Sequence, residues 1–185
     1  MRSAKSWNGQ RHTFTVHSIC VGELMPDSTI TTALKKFDLN KKLFGIFPHQ
    51  ILKKTFTVIR GFNDEFLAPH SRATDVNVSD VAAVPELEIM ALTKEGSLAI
   101  AKTKDSRQFF VTCHAEYDAN TLALEYNRDM EKGLTSVDLP INYFPDDDPT
   151  KAPVVTWRST GQLLYSNWLN FYVYQSTPYD IKDIK

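Results

Sequence analysis

The stretch Val111-Thr112-Cys113-His114-Ala115-Glu116-Tyr117-Asp118 places a thiol, an imidazole and a carboxylate within four residues. An apolar run ends there, and a helical pattern begins straight after. In extended chain, residues i and i+2 point to the same side. His114 and Glu116 are therefore expected on one face at the end of a buried strand. A carboxylate beside an imidazole orients the ring, fixes its tautomer and raises its basicity, which a general base needs. The same three letters also describe a histidine and a surface glutamate in a strand-to-helix turn. That reading is the commoner outcome for so short a pattern.

Metal chemistry lacks ligands. No histidine follows His114 and no C-x-x-C occurs, so neither a zinc-deaminase site nor a two-histidine, one-carboxylate site finds its third donor. No metal site is expected. No G-x-G-x-x-G or Walker loop is present. His70-Ser71-Arg72 follows Pro69 in what reads as a loop, and an arginine fork there suits a carboxylate, although a solvated loop is the commoner explanation. Asp146-Asp147-Asp148 reads as a solvated acidic loop. Cys113 reads as a small buried residue.

Elements must position these groups. Leu43-Phe44-Gly45-Ile46-Phe47, closed by Pro48, reads as a short buried strand, and residues 55–59 as extended chain. Gly61 to Asp64 is turn-rich. Strands are expected at 87–92, 97–101 and 108–113, the first two joined through Lys94-Glu95-Gly96. Asp118 is placed to cap the next helix, with Leu122, Tyr126 and Met130 on one stripe and a stop near Lys132-Gly133. A second helix is expected over 161–174, its aromatics packed in the core. Strands followed by helices suggest an α/β layer fold, with ligands at the carboxyl ends of strands.

The chain has 185 residues, enough for one domain with a real core, and 42% hydrophobic content is ordinary for a globular protein. A net charge of −1 gives no bulk field for nucleic acid or acidic membranes. Cys20 and Cys113 make no disulfide framework, no run approaches a spanning helix, and residues 1–20 lack a signal-type apolar core. A cytoplasmic setting is the expectation.

Several blocks together resemble a known family. They are Lys42-Leu43-Phe44-Gly45-Ile46-Phe47-Pro48-His49-Gln50, Arg60-Gly61-Phe62, Phe66-Leu67-Ala68-Pro69-His70-Ser71-Arg72 and the stretch from Val111 to Asp118. Asn142-Tyr143-Phe144-Pro145, Trp157-Arg158-Ser159, Asn167-Trp168-Leu169-Asn170, Tyr172-Val173-Tyr174-Gln175 and Thr177-Pro178-Tyr179-Asp180 follow in order. This text resembles the homoserine O-acyltransferases (trans-succinylase type) of methionine biosynthesis. The resemblance implies a class I glutamine amidotransferase-like (flavodoxin-like) fold, a mostly parallel sheet flanked by helices. It also implies ping-pong acyl transfer. A cysteine takes an acyl group from acetyl-CoA or succinyl-CoA as a thioester, and the γ-hydroxyl of L-homoserine then attacks it. On this resemblance His114 is the base, Glu116 its partner, and Lys42, Ser71 and Arg128 bind homoserine. No bound cofactor is implied, and a homodimer is compatible. A glutaminase-type Cys-His-Glu amide hydrolase would share the triad but not the Ala-Pro-His-Ser-Arg or Asn-Trp-Leu-Asn blocks. An inactive binding remnant is the other alternative.

Two departures stand out. The family's Gly-His-Pro-Glu reads Cys113-His114-Ala115-Glu116 here, with the spacing kept. The family's Cys-Trp-Gly-Ala nucleophile segment falls on Val21 by register, one position from Cys20. Residues 35–185 read as the C-terminal portion of the domain, incomplete at the N-terminus. Residues 1–34 sustain neither the helical nor the strand period and read as a frame-shifted segment. Shifting the codons of residues 21–30 by one base allows Cys-Trp-Gly-Ala-His-Ala-Gly-Leu-Tyr-Tyr, with a cysteine at position 21.

Overall fold

The computed structural model describes residues 13–16, 35–133 and 137–175. Six strands form one sheet: β1 (Thr13–Val16), β2 (Lys36–Ile51), β3 (Glu65–Val76), β4 (Leu87–Thr93), β5 (Leu98–Thr103) and β6 (Gln108–Val111), in the order β1-β6-β5-β4-β2-β3. Among the described residues, three α-helices accompany it: α1 (Val78–Ala83), α2 (Thr121–Glu131) and α3 (Arg158–Trp168). The α/β class expected from the sequence holds.

The strand directions differ from the mostly parallel sheet that the resemblance implies. Among the six described strands β1 and β6 pair in parallel, and the other four pairings are antiparallel. Short turns account for the β4–β5 and β5–β6 reversals. A parallel pair needs a crossover of roughly a dozen residues or more, whereas a tight turn reverses the chain. Gly96, at φ +90°, closes the β4–β5 hairpin at the expected Lys94-Glu95-Gly96. β5 is buried along its whole length, as a central strand is.

Other expectations shift in detail. The strand around Leu43–Phe47 extends from Lys36 to Ile51 and runs through Pro48. Residues 55–59 are not extended: Thr57–Ile59 form a short 3-10 turn that buries Val58 and Ile59. Asn167 Nδ2 donates to the carbonyls of Val58 (3.0 Å) and Arg60 (2.8 Å), so contact with α3 overrides the local β-branched preference. His70, Ser71 and Arg72 lie in β3 rather than in a loop. Pro69 is tolerated because β3 is an edge strand. The α2 N-cap is Asn120 without a side-chain bond, and Asp118 contributes its backbone carbonyl to Thr121 N at 3.2 Å. α2 ends at Glu131, and Gly133 follows in the left-handed region. Leu122 is buried, but Met130 is exposed. α3 begins at Arg158 and continues as a π-helical turn, Leu169–Val173. Trp168 and Tyr172 pack on the core, whereas Phe171 and Tyr174 are exposed.

The pleat of β2 and β3 sorts the core. Phe44 pairs with Ser71 and Ile46 with Pro69, so these share one face. On it Phe44 and Ile46 pack with Leu122, Tyr143, Phe144 and Trp157. The opposite face carries His49, Phe66, Ala68 and His70. There Phe66 and Ala68 join the main core of Val58, Met90, Ile100, Phe109, Val111 and Leu164. Gly45, at φ +137°, lets the backbone of Ile141 come alongside β2: Ile141 N donates to Phe44 O at 3.0 Å, and Ile46 N to Ile141 O at 2.8 Å. A β-carbon there would collide with the backbone of Ile141.

Candidate active site

β6 ends at Val111, and the chain then turns. His114 and Glu116 sit in this turn, closed by Tyr117 N donating to His114 O at 3.1 Å. They face each other as expected, but because of the turn rather than the strand pleat. His114 Nδ1 and Glu116 Oε1 are 2.8 Å apart. The imidazole is buried, while the Glu116 side chain keeps 38% exposure. A carboxylate there favours the tautomer with the proton on Nδ1.

Three contacts hold the turn. His114 N donates to Pro69 O at 2.8 Å, tying it to β3 beside Ser71. Trp157 Nε1 donates to Tyr117 O at 2.9 Å. Gly161 of α3 packs directly against Ala115. Tyr117 lays its ring on that of His114, with centroids 4.3 Å apart and planes inclined by 15°.

A second cluster adjoins. The sheet pairing that sets Phe44 opposite Ser71 also puts Lys42 on their face, with Nζ 4.1 Å from the Phe44 ring centroid. Glu125, on α2, collects three donors. Its Oε2 accepts from Ser71 Oγ and from Lys42 Nζ (3.4 Å), and its Oε1 accepts from the Tyr117 hydroxyl (3.1 Å). Asp129 lies 3.9 Å from Lys42 Nζ and 2.9 Å from Arg128 Nη2. The Arg128 guanidinium holds the Asp129 carboxyl below the usual carboxylate range. Arg128 is 55% exposed, and its Nε, like its Nη2, donates to Asp129 Oδ1 at 2.9 Å, so one edge of its fork is already taken. The structure thus brings Lys42 and Ser71 together at Glu125 and leaves Arg128 at the rim.

Glu125 and Tyr117 were not anticipated. One signal was available: Glu125, Arg128 and Asp129 stand at i, i+3 and i+4, neighbours on one helix face. Tyr117 had none, since its role depends on where the turn sends its ring. Burial, then the nearby Glu125 charge, pushes the Tyr117 phenol upward, so it stays a neutral donor to that carboxylate.

Arg72 is not a ligand fork. Its Nη1 lies 2.6 Å from Asp75 Oδ1 and its Nη2 3.3 Å from Asp75 Oδ2, with Leu98 O a further 3.2 Å acceptor, all inside the protein. It occupies the opposite face of β3 from Ser71. Cys113 is fully buried, and burial, then the Glu116 charge, pushes its thiol up to about 12. A thiolate nucleophile needs the reverse environment. Cys20 and Val21 lie outside the described residues. Among the described residues no group of three or more His, Cys, Asp or Glu side chains could hold a metal ion. Among them too, no helix is long and apolar enough to cross a membrane.

The homoserine O-succinyltransferase family model matches residues 4–179. The chain belongs to this family. It is 53% identical over 152 residues to the homoserine O-acetyltransferase of Acetivibrio thermocellus, covering 82% of this chain and 50% of that protein. It is 46% identical over 179 residues to the homoserine O-acetyltransferase of Brevibacillus brevis, covering 97% of this chain and 58% of that protein. This member of the homoserine O-succinyltransferase family therefore spans about half the length of the curated relatives it matches. In fold it is similar to a glutamine amidotransferase from Thermotoga maritima, with a TM-score of 0.54 at 12% identity over 84% of this chain and 60% of that one.

Proposed function

We propose that this family member contributes the base and the homoserine-binding side of an acyl transfer from acyl-CoA to the γ-hydroxyl of L-homoserine, feeding methionine biosynthesis. The observation that carries this reading is the 2.8 Å contact between His114 Nδ1 and Glu116 Oε1 in a chain of this family. The names of the relatives favour acetyl as the acyl group.

A cysteine thiolate attacks the thioester carbonyl of acyl-CoA, forms a new thioester and expels coenzyme A as its thiolate. Homoserine docks with its α-carboxylate on Arg128, where a guanidinium offers two parallel donors, and with Lys42 and Ser71 beside it. His114 takes the γ-hydroxyl proton at Nε2 as the oxygen attacks the acyl-cysteine. The C–S bond breaks, and the proton passes from His114 to the departing sulfur. Glu116 stabilises the transient imidazolium without becoming protonated.

A second reading, a binding remnant, is favoured by one specific observation. Cys113, the cysteine among the described residues, is buried with its thiol pushed up to about 12. The two readings separate in one experiment. The chain is incubated with acetyl-CoA or succinyl-CoA and L-homoserine, with product measured by mass spectrometry and homoserine binding by calorimetry. Product that His114→Ala abolishes supports acyl transfer. Binding without product supports the remnant. Neither binding nor product overturns both.

A further inference from the structure

Glu116 fixes one nitrogen of His114. The Tyr117 ring lies on the imidazole, 4.3 Å away and inclined by 15°, so ring stacking bears on the plane of His114. Tyr117 is itself fixed at three points: its N on His114 O, its carbonyl on Trp157 Nε1, and its hydroxyl on Glu125 Oε1. Glu125 uses its other oxygen for Ser71 and Lys42. One carboxylate thus links the ring lying on the imidazole to the cluster read above as the homoserine site.

We infer that Tyr117 is a positioning residue that sets the plane of His114 and, through Glu125, couples that plane to occupancy of the Lys42–Ser71 cluster. A ligand that engages Lys42 or Ser71 withdraws donors from Glu125 Oε2. The carboxylate then readjusts against the Tyr117 hydroxyl, and the ring carries the adjustment to His114. The positioning half stands on geometry alone, whereas the coupling half rests on the homoserine reading.

The test uses the full chain labelled with 13C and 15N. Tyr117→Phe keeps the ring and deletes the hydroxyl. Tyr117→Leu deletes the ring. Glu125→Gln weakens the anchor from the other end. The His114 Nδ1–H proton signal is expected to persist in Tyr117→Phe and to be lost to solvent exchange in Tyr117→Leu. L-homoserine is expected to move the His114 ring signals in the wild type and to leave them in place in Tyr117→Phe and Glu125→Gln. Retention of the Nδ1–H signal in Tyr117→Leu overturns the positioning role. Equal homoserine-induced movement in wild type and Tyr117→Phe overturns the coupling. If homoserine perturbs neither Ser71 nor Glu125 in the wild type, the homoserine reading fails and takes the coupling with it, and the Nδ1–H comparison still decides the positioning. Should Tyr117→Leu unfold, Tyr117→Phe and Glu125→Gln still decide the coupling.

Discussion

Gly161 and Ala115 meet so closely that a β-carbon on Gly161 would lie 2.5 Å from the Ala115 carbonyl oxygen. The helix that carries Gly161 therefore buttresses the turn that carries His114 and Glu116. In an ordinary helix, glycine to alanine gains about 0.5–1 kcal/mol. Here the added methyl meets backbone, which cannot swing away, and overpacking of this kind costs about 1–3 kcal/mol. The clash wins. Gly161→Ala is expected to lower stability in a denaturant titration and to shift the Ala115 and His114 amide resonances. Unchanged stability with unmoved resonances would contradict the contact.

The buried pair His49 and His70 makes stability depend on pH. Their Nε2 atoms are 2.8 Å apart, so one donates and the other accepts. Burial lowers His49 from 6.5 to about 4, and burial with the neighbouring His49 and Arg72 charges lowers His70 well below its ordinary value. The unfolded chain thus binds protons that the native chain refuses. The His49 contribution to stability is complete well above pH 6.5 and falls as pH drops toward 4, by roughly 3 kcal/mol for a 2.5-unit depression. Chemical denaturation at stepped pH should show this slope, and His49→Gln should make it shallower. A flat profile between pH 6.5 and 4 would sink the assignment.

Cys113 is expected to be chemically silent in the native chain. It is buried, and its thiol is pushed up to about 12, so the thiolate fraction near neutrality is negligible. Iodoacetamide at pH 8 should modify it only after denaturation. An acyl adduct on Cys113 after exposure to acetyl-CoA, detected by peptide mapping, would refute this.

The N-terminal segment has a test in its gene. The adjacent frame over codons 21–30 is expected to read Cys-Trp-Gly-Ala-His-Ala-Gly-Leu-Tyr-Tyr. The nucleotide sequence decides it: a codon at position 21 that cannot encode cysteine in that frame ends the idea.

Much of the fold was legible where local pattern and final environment agree. β4, β5 and β6 announced themselves by apolar runs between turns, and Gly133 marked the end of α2. Residues 57–59 misled because β-branched side chains serve equally well in a buried 3-10 turn once Asn167 donates to the Val58 carbonyl. Arg72 misled because a guanidinium fork looks the same whether it awaits a ligand or already holds Asp75.

By itself the sequence determined that His114 and Glu116 would be neighbours, since two residues apart can scarcely avoid it. It also determined the family, through blocks of text in order. Only the tertiary structure decided what surrounds that pair. Tyr117 lies on the imidazole, Gly161 supports the turn, and Glu125 joins Lys42 and Ser71 across 83 and 54 residues of chain. Contacts at such separations depend on strand register and on which face of a helix meets the sheet. Neither is encoded in any local stretch, because each is settled by the whole core packing at once.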